Sequence, residues 1–361
     1  MAGFDHEEIA VRRGPRSGLP VIVAVHSTAL GQAVGGCRLW HYADWRDGLD
    51  DAMRLSAGMT LKCAVAGLGN GGGKTVIPVP DQVRLDAAGR ADALRDAGDV
   101  IESLGGRYAT GPDVGTAPAD MVVIGERTRH VFCTPGPRGG SGDSSPHTAA
   151  GVIAALRAVC ARMYGSPELG DRTLAVIGLG NVGTHLARQF SAAGASLLVS
   201  DIDPAKQALA RELGAEWAKP QEAMIAPVDV LVPAALGGVF TRQIVPRLRC
   251  VAIAGPANNQ LAEPDVAGLL HQRGIVWVPD YVVSAGGVIY ALTVELHKED
   301  PQTAGARVQD IAGTVGLLLE TADRTGADPA AAALELAQRR LSAGTPRAGY
   351  RGGWGSEVGQ R

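Results

Sequence analysis

The sequence predicts an α/β protein of two domains that meet near residue 145. Three features of the chain support this prediction. Strand-like and helical apolar patterns are mixed in the first part of the chain. A segment rich in Gly, Ser and Pro, at residues 134–148, then interrupts the pattern and marks a hinge. Beyond it, short apolar runs alternate with helical segments, which is typical of a parallel sheet with helices on both faces.

The composition excludes several classes of protein. The 361 residues are 46% hydrophobic and 20% charged, with a net charge of −3. The sequence has no basic cluster as dense as a nucleic-acid-binding surface requires. No apolar run is long enough for a membrane span, and the charged N-terminus lacks the apolar core of a signal peptide. The five cysteines are scattered, without a C-x-x-C pair, and the histidine spacing suggests no metal site. We therefore expect a cytoplasmic globular protein without a metal, a nucleic-acid partner or a membrane partner.

The first half of the chain predicts both strands and helices. Residues 19–27, LPVIVAVHS, form a strand-like apolar run, and residues 60–66 and 74–79 look similar or mixed. Helices are predicted around residues 44–60 and 83–104.

Apolar residues recur every three or four positions along the first of these helices. This spacing predicts a buried stripe formed by Trp45, Leu49, Ala52, Leu55 and Met59. Lys62 follows three residues after the stripe, so it would lie at the end of a buried face if the helix continues that far. Its ammonium could simply reach water along the helix surface, or it could have a function in a cleft.

Residues 68–77, LGNGGGKTVI, contain a Gly-Lys-Thr that resembles the end of a phosphate-binding P-loop. That loop requires G-x-x-x-x-G-K-[ST] and a helix after it, but Leu68 stands where the first glycine is needed. The residues that follow, VIPVP, favour an extended chain instead of a helix. The sequence therefore argues against a loop that binds a nucleoside triphosphate, and we expect Lys74 to have another role.

The second half predicts a regular alternation of strands and helices. The apolar strands are predicted at residues 173–177, 196–201, 228–233, 250–254 and 275–279. Helices are predicted from about 284 to 345, and the Gly-rich tail at 346–361 is expected to be disordered. The predicted domains are residues 1–145 and 146–328, with a helix at 329–345 available to complete the first.

A glycine-rich turn follows the first strand of the second half. It reads G-L-G-N-V-G, with Gly178, Gly180 and Gly183 flanking Asn181 and Val182. In a dinucleotide-binding turn, the first glycine makes the tight turn, the second allows the pyrophosphate to approach, and the third packs helix against strand. The helix N-terminus then faces the phosphate charge. The context of strand, turn and helix predicts a Rossmann-type domain.

An acidic residue ends the next predicted strand. Asp201 stands eighteen residues after the last glycine of the turn, where a carboxylate can bond a ribose 2′-hydroxyl and repel a 2′-phosphate. The predicted cofactor is therefore NAD.

A dinucleotide-binding domain alone does not name a reaction. Lys62, Lys74 and Asp113 lie in Gly-rich or apolar surroundings of the first half. A lysine that is buried or close to another cation has a depressed pKa and can act as a base. The other lysine could hold a carboxylate, and Asp113 could relay a proton, although an aspartate in a PDVG sequence is often only a turn residue.

Eight sequence blocks occur together and in order, over about residues 5 to 345. They resemble the glutamate/leucine/phenylalanine/valine dehydrogenase family, and specifically its smaller branch that acts on apolar amino acids. The blocks are residues 35–40, 58–77, 107–116, 139–152, 178–183, 232–239, 254–261 and 279–289. The resemblance implies an N-terminal substrate and oligomerisation domain, a Rossmann-type domain, a cleft between them, and a homo-oligomer.

The resemblance also implies an activity. Such an enzyme carries out the reversible, NAD-dependent oxidative deamination of an L-amino acid to the 2-oxo acid and ammonia. Lys62 would bind the α-carboxylate, Lys74 would bond the amino group and activate the water that attacks the imine, and Asp113 would pass protons to and from the nitrogen.

Further positions of the cleft are implied by the same blocks. Around the cofactor they are Thr148, Ala234 and Ala235. Around the substrate they are Gly36, Asn258 and Asn259, and the sequence leaves open which asparagine contacts the substrate. Ser284 stands where relatives commonly carry Asn, which puts one hydrogen bond of the cleft in doubt.

The substrate side chain is expected to lie against Val34, Gly111, Val288 and Ala291. Gly111 and Ala291 are smaller than the residues of leucine- and valine-specific relatives, so we expect room for phenylalanine or a similarly large side chain. A branched-chain substrate is the alternative, because apolar pockets discriminate weakly. An inactive NAD-binding sensor or scaffold is the alternative of another class, and the intact lysine pair and Asp113 argue against it.

Overall fold

The computed structural model describes residues 5–344. The predicted disordered tail at 346–361 lies outside these residues. The described strands form two sheets and are β1 (Glu8–Arg13), β2 (Pro20–Ser27), β3 (Ala33–Tyr42), β4 (Gly71–Pro80), β5 (Tyr108–Pro112), β6 (Thr173–Ile177), β7 (Ser196–Ser200), β8 (Glu216–Trp217), β9 (Val230–Pro233), β10 (Ala252–Ile253) and β11 (Val276–Trp277).

Helices flank both sheets, and a π-helical turn, Leu292–Leu296, follows the tenth of them. The α-helices are α1 (Trp45–Ala66), α2 (Ala87–Glu102), α3 (Pro118–Gly125), α4 (Ser145–Tyr164), α5 (Asn181–Ala192), α6 (Gln207–Glu212), α7 (Pro220–Met224), α8 (Val266–Gln272), α9 (Asp280–Val283), α10 (Gly286–Ala291), α11 (Pro301–Gln309), α12 (Ile311–Thr325) and α13 (Pro329–Ala343). No described helix is long and apolar enough to cross a membrane.

The first sheet has the order β1-β2-β4-β3-β5. β2 pairs antiparallel with β1 and β4, whereas β3 runs parallel to β4 and β5. The mixed architecture predicted for the first half is therefore confirmed. β4 carries the Gly-Gly-Gly-Lys sequence inside the sheet, and the strand continues past Lys74 to Pro80 where a P-loop would begin a helix, so Lys74 does not lie in a phosphate-binding loop.

The glycines before Lys74 are required by close packing. A Cβ at Gly72 would lie 2.1 Å from the backbone nitrogen of Thr60 in α1, and a Cβ at Gly73 would lie 2.5 Å from the ring of Tyr108 in β5. Real carbon atoms do not approach this closely. The glycine run thus lets α1 pack directly on one face of the sheet and the tyrosine on the other.

One expectation about α1 is wrong, and a second is confirmed only in part. The segment 60–66, which looks strand-like or mixed, continues the helix to Ala66, and the helix ends at Gly67 in a left-handed conformation (φ 68°). The predicted stripe is confirmed only at Ala52, which is fully buried; Trp45 is 38% exposed, and Leu49, Leu55 and Met59 are half-buried. The buried face consists of smaller residues, Gly48, Ala52, Ser56, Thr60, Cys63, Ala64 and Val65. The short distance to the glycine strand selects these small side chains.

The second sheet is parallel and has the order β11-β10-β9-β6-β7-β8. Two β-α-β halves thus extend in opposite directions from β6 and β9, as in a Rossmann domain, where ligands bind at the carboxyl ends of the strands beside this switch point. The five strands predicted from the sequence are confirmed. The sequence did not indicate β8, which is only two residues long.

The C-terminal helices form the expected helical region. α10 and α12 pack against α4, and α13 returns to α1. There the Arg340 guanidinium donates hydrogen bonds to the carbonyl oxygens of Ala64 and Val65, at 2.8 and 2.6 Å. The domain boundaries at 145 and 328 stay a prediction.

Candidate active site

A cleft lies between the two sheets and is lined from both sides. The first sheet and α1 contribute Gly36, Arg38, Leu55, Met59, Lys62, Lys74 and Asp113, and the second half contributes Thr148, Asn258, Asn259, Asp280, Ser284 and Val288. The two lysines and the aspartate singled out from the sequence are thus brought together in one cleft.

Lys74 and Asp113 form an ion pair on the wall of the first sheet. The Lys74 Nζ atom lies 2.7 Å from Asp113 Oδ2, and Lys74 is buried, with 5% of its surface exposed. The guanidinium of Arg38 donates a hydrogen bond to the same carboxylate oxygen from 2.9 Å. Burial alone would raise the pKa of Asp113, but the charges of Lys74 and Arg38 outweigh burial and lower it to about 2. Asp113 is therefore ionised near neutral pH and is more than a turn residue.

Gly36 makes the ion pair possible. It lies on β3, and a Cβ placed on it would lie 2.6 Å from Asp113 Cβ, 2.9 Å from the Pro112 carbonyl oxygen and 3.2 Å from Lys74 Nζ. Any side chain here would push into the pair. The absence of a side chain at Gly36 keeps this part of the cleft open.

Lys62 projects from α1 into the cleft. Its Nζ donates to Ser284 Oγ at 3.0 Å and reaches Asn258 Oδ1 at 3.5 Å. Burial lowers the pKa of Lys62, the charge of Lys74 lowers it further, and the carboxylate of Asp280 opposes the shift. The ammonium thus faces groups across the cleft instead of extending along the helix surface.

The sequence analysis missed three charged residues of the cleft lining, Arg38, Arg54 and Asp280. Asp280, the first residue of α9, is buried, and burial raises its pKa. It accepts a hydrogen bond from the Gln260 backbone N–H at 2.9 Å. Arg38 and Asp280 lie within the sequence blocks that carry the family resemblance, where their charge could have been a signal.

The two asparagines lie on the loop after β10. Asn258 faces Lys62, as described above, whereas Asn259 adopts a left-handed backbone conformation with φ 53°. The carbonyl oxygen of Asn259 accepts a hydrogen bond from the Gly238 N–H at 2.7 Å. Both line the cleft, and the choice between them as substrate contact stays open.

The glycine turn after β6 has the close approaches that a dinucleotide turn needs. Gly178 has φ 104°, and a Cβ there would lie 2.7 Å from Ala235 Cβ. A Cβ at Gly183 would lie 1.9 Å from the Gly178 carbonyl oxygen and 3.4 Å from Ala234 Cβ. A Cβ at Gly180, the residue that precedes α5, would meet nothing within 4 Å. The open side of the turn thus fits a pyrophosphate over the helix N-terminus.

Asp201 lies at the carboxyl end of β7, beside this turn. Its Oδ2 accepts a hydrogen bond from the Leu179 N–H at 2.6 Å, and its Oδ1 accepts one from the Asp203 N–H at 2.9 Å. Asn181 and Val182 form the first turn of α5. Thr148, near the N-terminus of α4, reaches the cleft, where a Cβ on Gly287 would lie 2.5 Å from its Oγ1. Asp201 and the first turn of α5 could hold the adenine-ribose and pyrophosphate parts of NAD, whereas Thr148 lies in the cleft itself.

The structure does not support the expected side-chain pocket at three of its four positions. Val34 and Ala291 are buried and, like Gly111, are not among the residues that line the cleft, whereas Val288 is. The room expected beside Gly111 is filled, since a Cβ there would lie 2.5 Å from the ring of Phe132. The argument that Gly111 leaves space for a large substrate is therefore wrong. The physical reason is a ring from a distant segment, which the sequence could not place.

Comparison with known proteins agrees with this geometry. Residues 7–130 match the family model described as Glu/Leu/Phe/Val dehydrogenase, dimerisation domain, and residues 200–300 match the model for glutamate/leucine/phenylalanine/valine dehydrogenase. The leucine dehydrogenase of Geobacillus stearothermophilus is 39% identical over 345 residues, which is 94% of this chain and 92% of that protein. The valine dehydrogenase of Streptomyces coelicolor is 39% identical over 347 residues, or 95% and 94%.

A solved structure extends the comparison to the fold. The crystal structure of L-tryptophan dehydrogenase from Nostoc punctiforme superposes with a TM-score of 0.79 at 34% identity, and the match covers 94% of this chain and 97% of that one. Sequence models, full-length relatives and architecture thus agree, and the chain belongs to the glutamate/leucine/phenylalanine/valine dehydrogenase family.

Proposed function

We propose that this NAD-dependent amino acid dehydrogenase carries out the reversible oxidative deamination of an apolar L-amino acid in the cleft between its two sheets. One observation carries the proposal. The Lys74–Asp113 ion pair and the Lys62 ammonium face the same cleft, and the glycine turn for NAD lies on the domain opposite. The arrangement provides a cation for a carboxylate, an acid–base pair for a nitrogen, and a place for the hydride acceptor.

Lys62 is proposed to hold the α-carboxylate of the substrate. Among the described residues, the hydrogen-bond partners of its ammonium in the cleft are neutral, Ser284 and Asn258. An incoming carboxylate would form a charge-assisted hydrogen bond with this ammonium in partly dehydrated surroundings, where such bonds are strong, and its negative charge would oppose the lowering of the Lys62 pKa by burial. Ser284, where relatives commonly carry Asn, supplies a hydroxyl that can orient the ammonium.

Lys74 and Asp113 are proposed to handle the protons. The glycine turn and Asp201 would hold NAD, whose nicotinamide would supply the acceptor for the hydride from Cα of the amino acid. Asp113 is ionised and can accept a proton from the substrate nitrogen, and Lys74, bound to the same carboxylate, can hold the water that attacks the imino carbon. Hydrolysis of the imino acid then yields the 2-oxo acid and ammonia. Arg38 keeps Asp113 in place throughout, since it binds the same carboxylate oxygen.

Phenylalanine, or a similarly large apolar side chain, is proposed as the preferred substrate. The lining of the cleft supports this preference, because it includes the apolar side chains of Phe132, Met59 and Val288. An aromatic wall favours an aromatic side chain by about 0.5–1.5 kcal/mol beyond the area it buries, and methionine adapts to irregular shapes. Leucine and valine are the second candidates, because relatives with these names are 39% identical to the chain.

The test is a substrate panel. The purified protein is incubated with NAD and each of the twenty amino acids, and with reduced cofactor, ammonia and 2-oxo acids in reverse, while the absorbance of the reduced cofactor is followed. Turnover of apolar amino acids is expected. Cofactor binding without any turnover would instead support the sensor or scaffold alternative. A kcat/KM for leucine or valine tenfold above that for phenylalanine would overturn the preference for a large side chain.

A homo-oligomer in the cytoplasm is also proposed. The match to a domain described as a dimerisation domain supports the assembly, and closed symmetry is the default for soluble oligomers. All five cysteines are buried and free, which fits a reducing compartment. Light scattering that finds a strict monomer at working concentration would exclude the assembly.

A further inference from the structure

Gly111 and Phe132 occupy adjacent positions at the edge of the first sheet. An isolated bridge joins Thr110 and Val131 in parallel, and the Phe132 N–H donates to the Thr110 carbonyl oxygen at 2.9 Å. The chain after α3 therefore runs beside β5, and the phenylalanine comes next to the glycine. A Cβ built on Gly111 would lie 2.5, 2.8 and 3.0 Å from three atoms of the Phe132 ring.

The ring lies close to the reacting groups. Gly111 pairs with Gly36 across β5 and β3, and paired residues of neighbouring strands face the same side of a sheet, about 4.8 Å apart. The side that Gly36 faces is the cleft, because a Cβ there would touch Asp113 and Lys74. Phe132 is 5% exposed and lines the same cleft. Its ring thus takes the place of the side chain that Gly111 lacks, one strand from the ion pair.

We propose that Phe132 is a specificity-determining residue and that Gly111 acts on substrate choice only by seating its ring. The glycine does not provide empty pocket. It allows the ring to lie against the strand, out of the path of the substrate side chain, and a methyl group at position 111 would drive the ring into the cleft. The proposal rests on the proposed function, since it assumes that an amino acid side chain occupies this part of the cleft.

A double-mutant cycle tests this indirect role. Gly111→Ala, Phe132→Ala and the double variant are compared with the wild type in kcat/KM for the largest and the smallest amino acids that the wild type oxidises. Gly111→Ala alone should lower the ratio of large to small by about tenfold or more, the size of discrimination that one methylene can produce. In the Phe132→Ala background, Gly111→Ala should alter the large-to-small ratio of kcat/KM by less than about twofold, because no ring remains for the methyl group to displace.

The opposite pattern would overturn the proposal. If Gly111→Ala changes the ratio equally in both backgrounds, position 111 contacts the substrate directly, and if it changes the ratio in neither, the ring does not border the substrate. Thermal unfolding and NAD binding report whether the Phe132→Ala variants fold, and if they do not, the structure of Gly111→Ala decides the proposal.

A crystal structure of Gly111→Ala tests the seating without any activity measurement. The ring should be displaced toward the cleft, and an unmoved ring beside the new methyl group would contradict the inference. A wild type that oxidises no amino acid would refute the proposed function, while this structural result would still decide whether Gly111 seats the ring.

Discussion

Gly36→Ala is expected to separate the Lys74–Asp113 ion pair without disturbing the NAD domain. The added Cβ would lie 2.6 Å from Asp113 Cβ and 2.9 Å from the Pro112 carbonyl oxygen. Carbon atoms in contact are normally about 3.6 Å apart, so Asp113 must retreat by about 1 Å. The Pro112 carbonyl oxygen is part of the backbone and cannot move away by a change of rotamer. The displacement of Asp113 is therefore the least costly way to accommodate the new methyl group.

The size of the effect follows from that displacement. A misplacement of about 1 Å in a catalytic group costs on the order of a hundredfold in rate, which equals about 3 kcal/mol of transition-state stabilisation. We therefore expect kcat to fall about a hundredfold, while the affinity for NAD stays within about twofold, since the glycine lies on the first sheet and the cofactor turn on the second.

The assay is steady-state turnover, followed by the absorbance of the reduced cofactor, together with NAD binding measured by calorimetry. Gly313→Ala is the matched control, because Gly313 is exposed on α12 and a Cβ there meets nothing within 4 Å. It should leave kcat unchanged. A Gly36→Ala enzyme with near-normal kcat would show that the ion-pair geometry does not limit the reaction.

Three further predictions concern single residues. Lys74→Ala should lower kcat by about a hundred- to ten-thousand-fold, as expected for loss of a positioned acid–base group, with NAD affinity retained; a near-normal rate would remove Lys74 from the mechanism. Asp201→Ala should raise the KM for NAD and narrow the preference over NADP, because the carboxylate at the end of β7 no longer repels a 2′-phosphate; an effect on the amino acid alone would mean that the turn has been misinterpreted. The cationic neighbours of Asp113 lower its pKa from 3.8 to about 2 in the folded protein. The ionised carboxylate therefore stabilises the folded state at pH values above the pKa that Asp113 has in the unfolded chain. This stabilisation is lost as the pH falls from about 5 toward 2. The wild type should therefore lose about 2 kcal/mol more unfolding free energy over that range than Asp113→Asn does, as denaturant titrations would measure; equal losses would contradict the sign of the shift.

The sequence by itself determined the Rossmann half of the protein and indicated the candidates for the main reacting groups. A strand, a glycine turn, a helix and a terminal aspartate are neighbours along the chain, so Gly178, Gly183 and Asp201 could be recognised from local order. The same holds for the family blocks that contain Lys62, Lys74 and Asp113. For these residues the signal lies in short segments, and folding only brings the segments together.

The tertiary structure alone decided how the first half is packed and what the cleft is made of. α1 continues past residue 60 because its small residues fit the glycine strand, a match between two segments that periodicity along one helix cannot reveal. Arg38 shares the Asp113 carboxylate from 75 positions away, and Phe132, which follows α3 in the chain, fills the space at Gly111. Such contacts depend on distances in space, and a residue's type indicates what it can do but not which neighbour it meets.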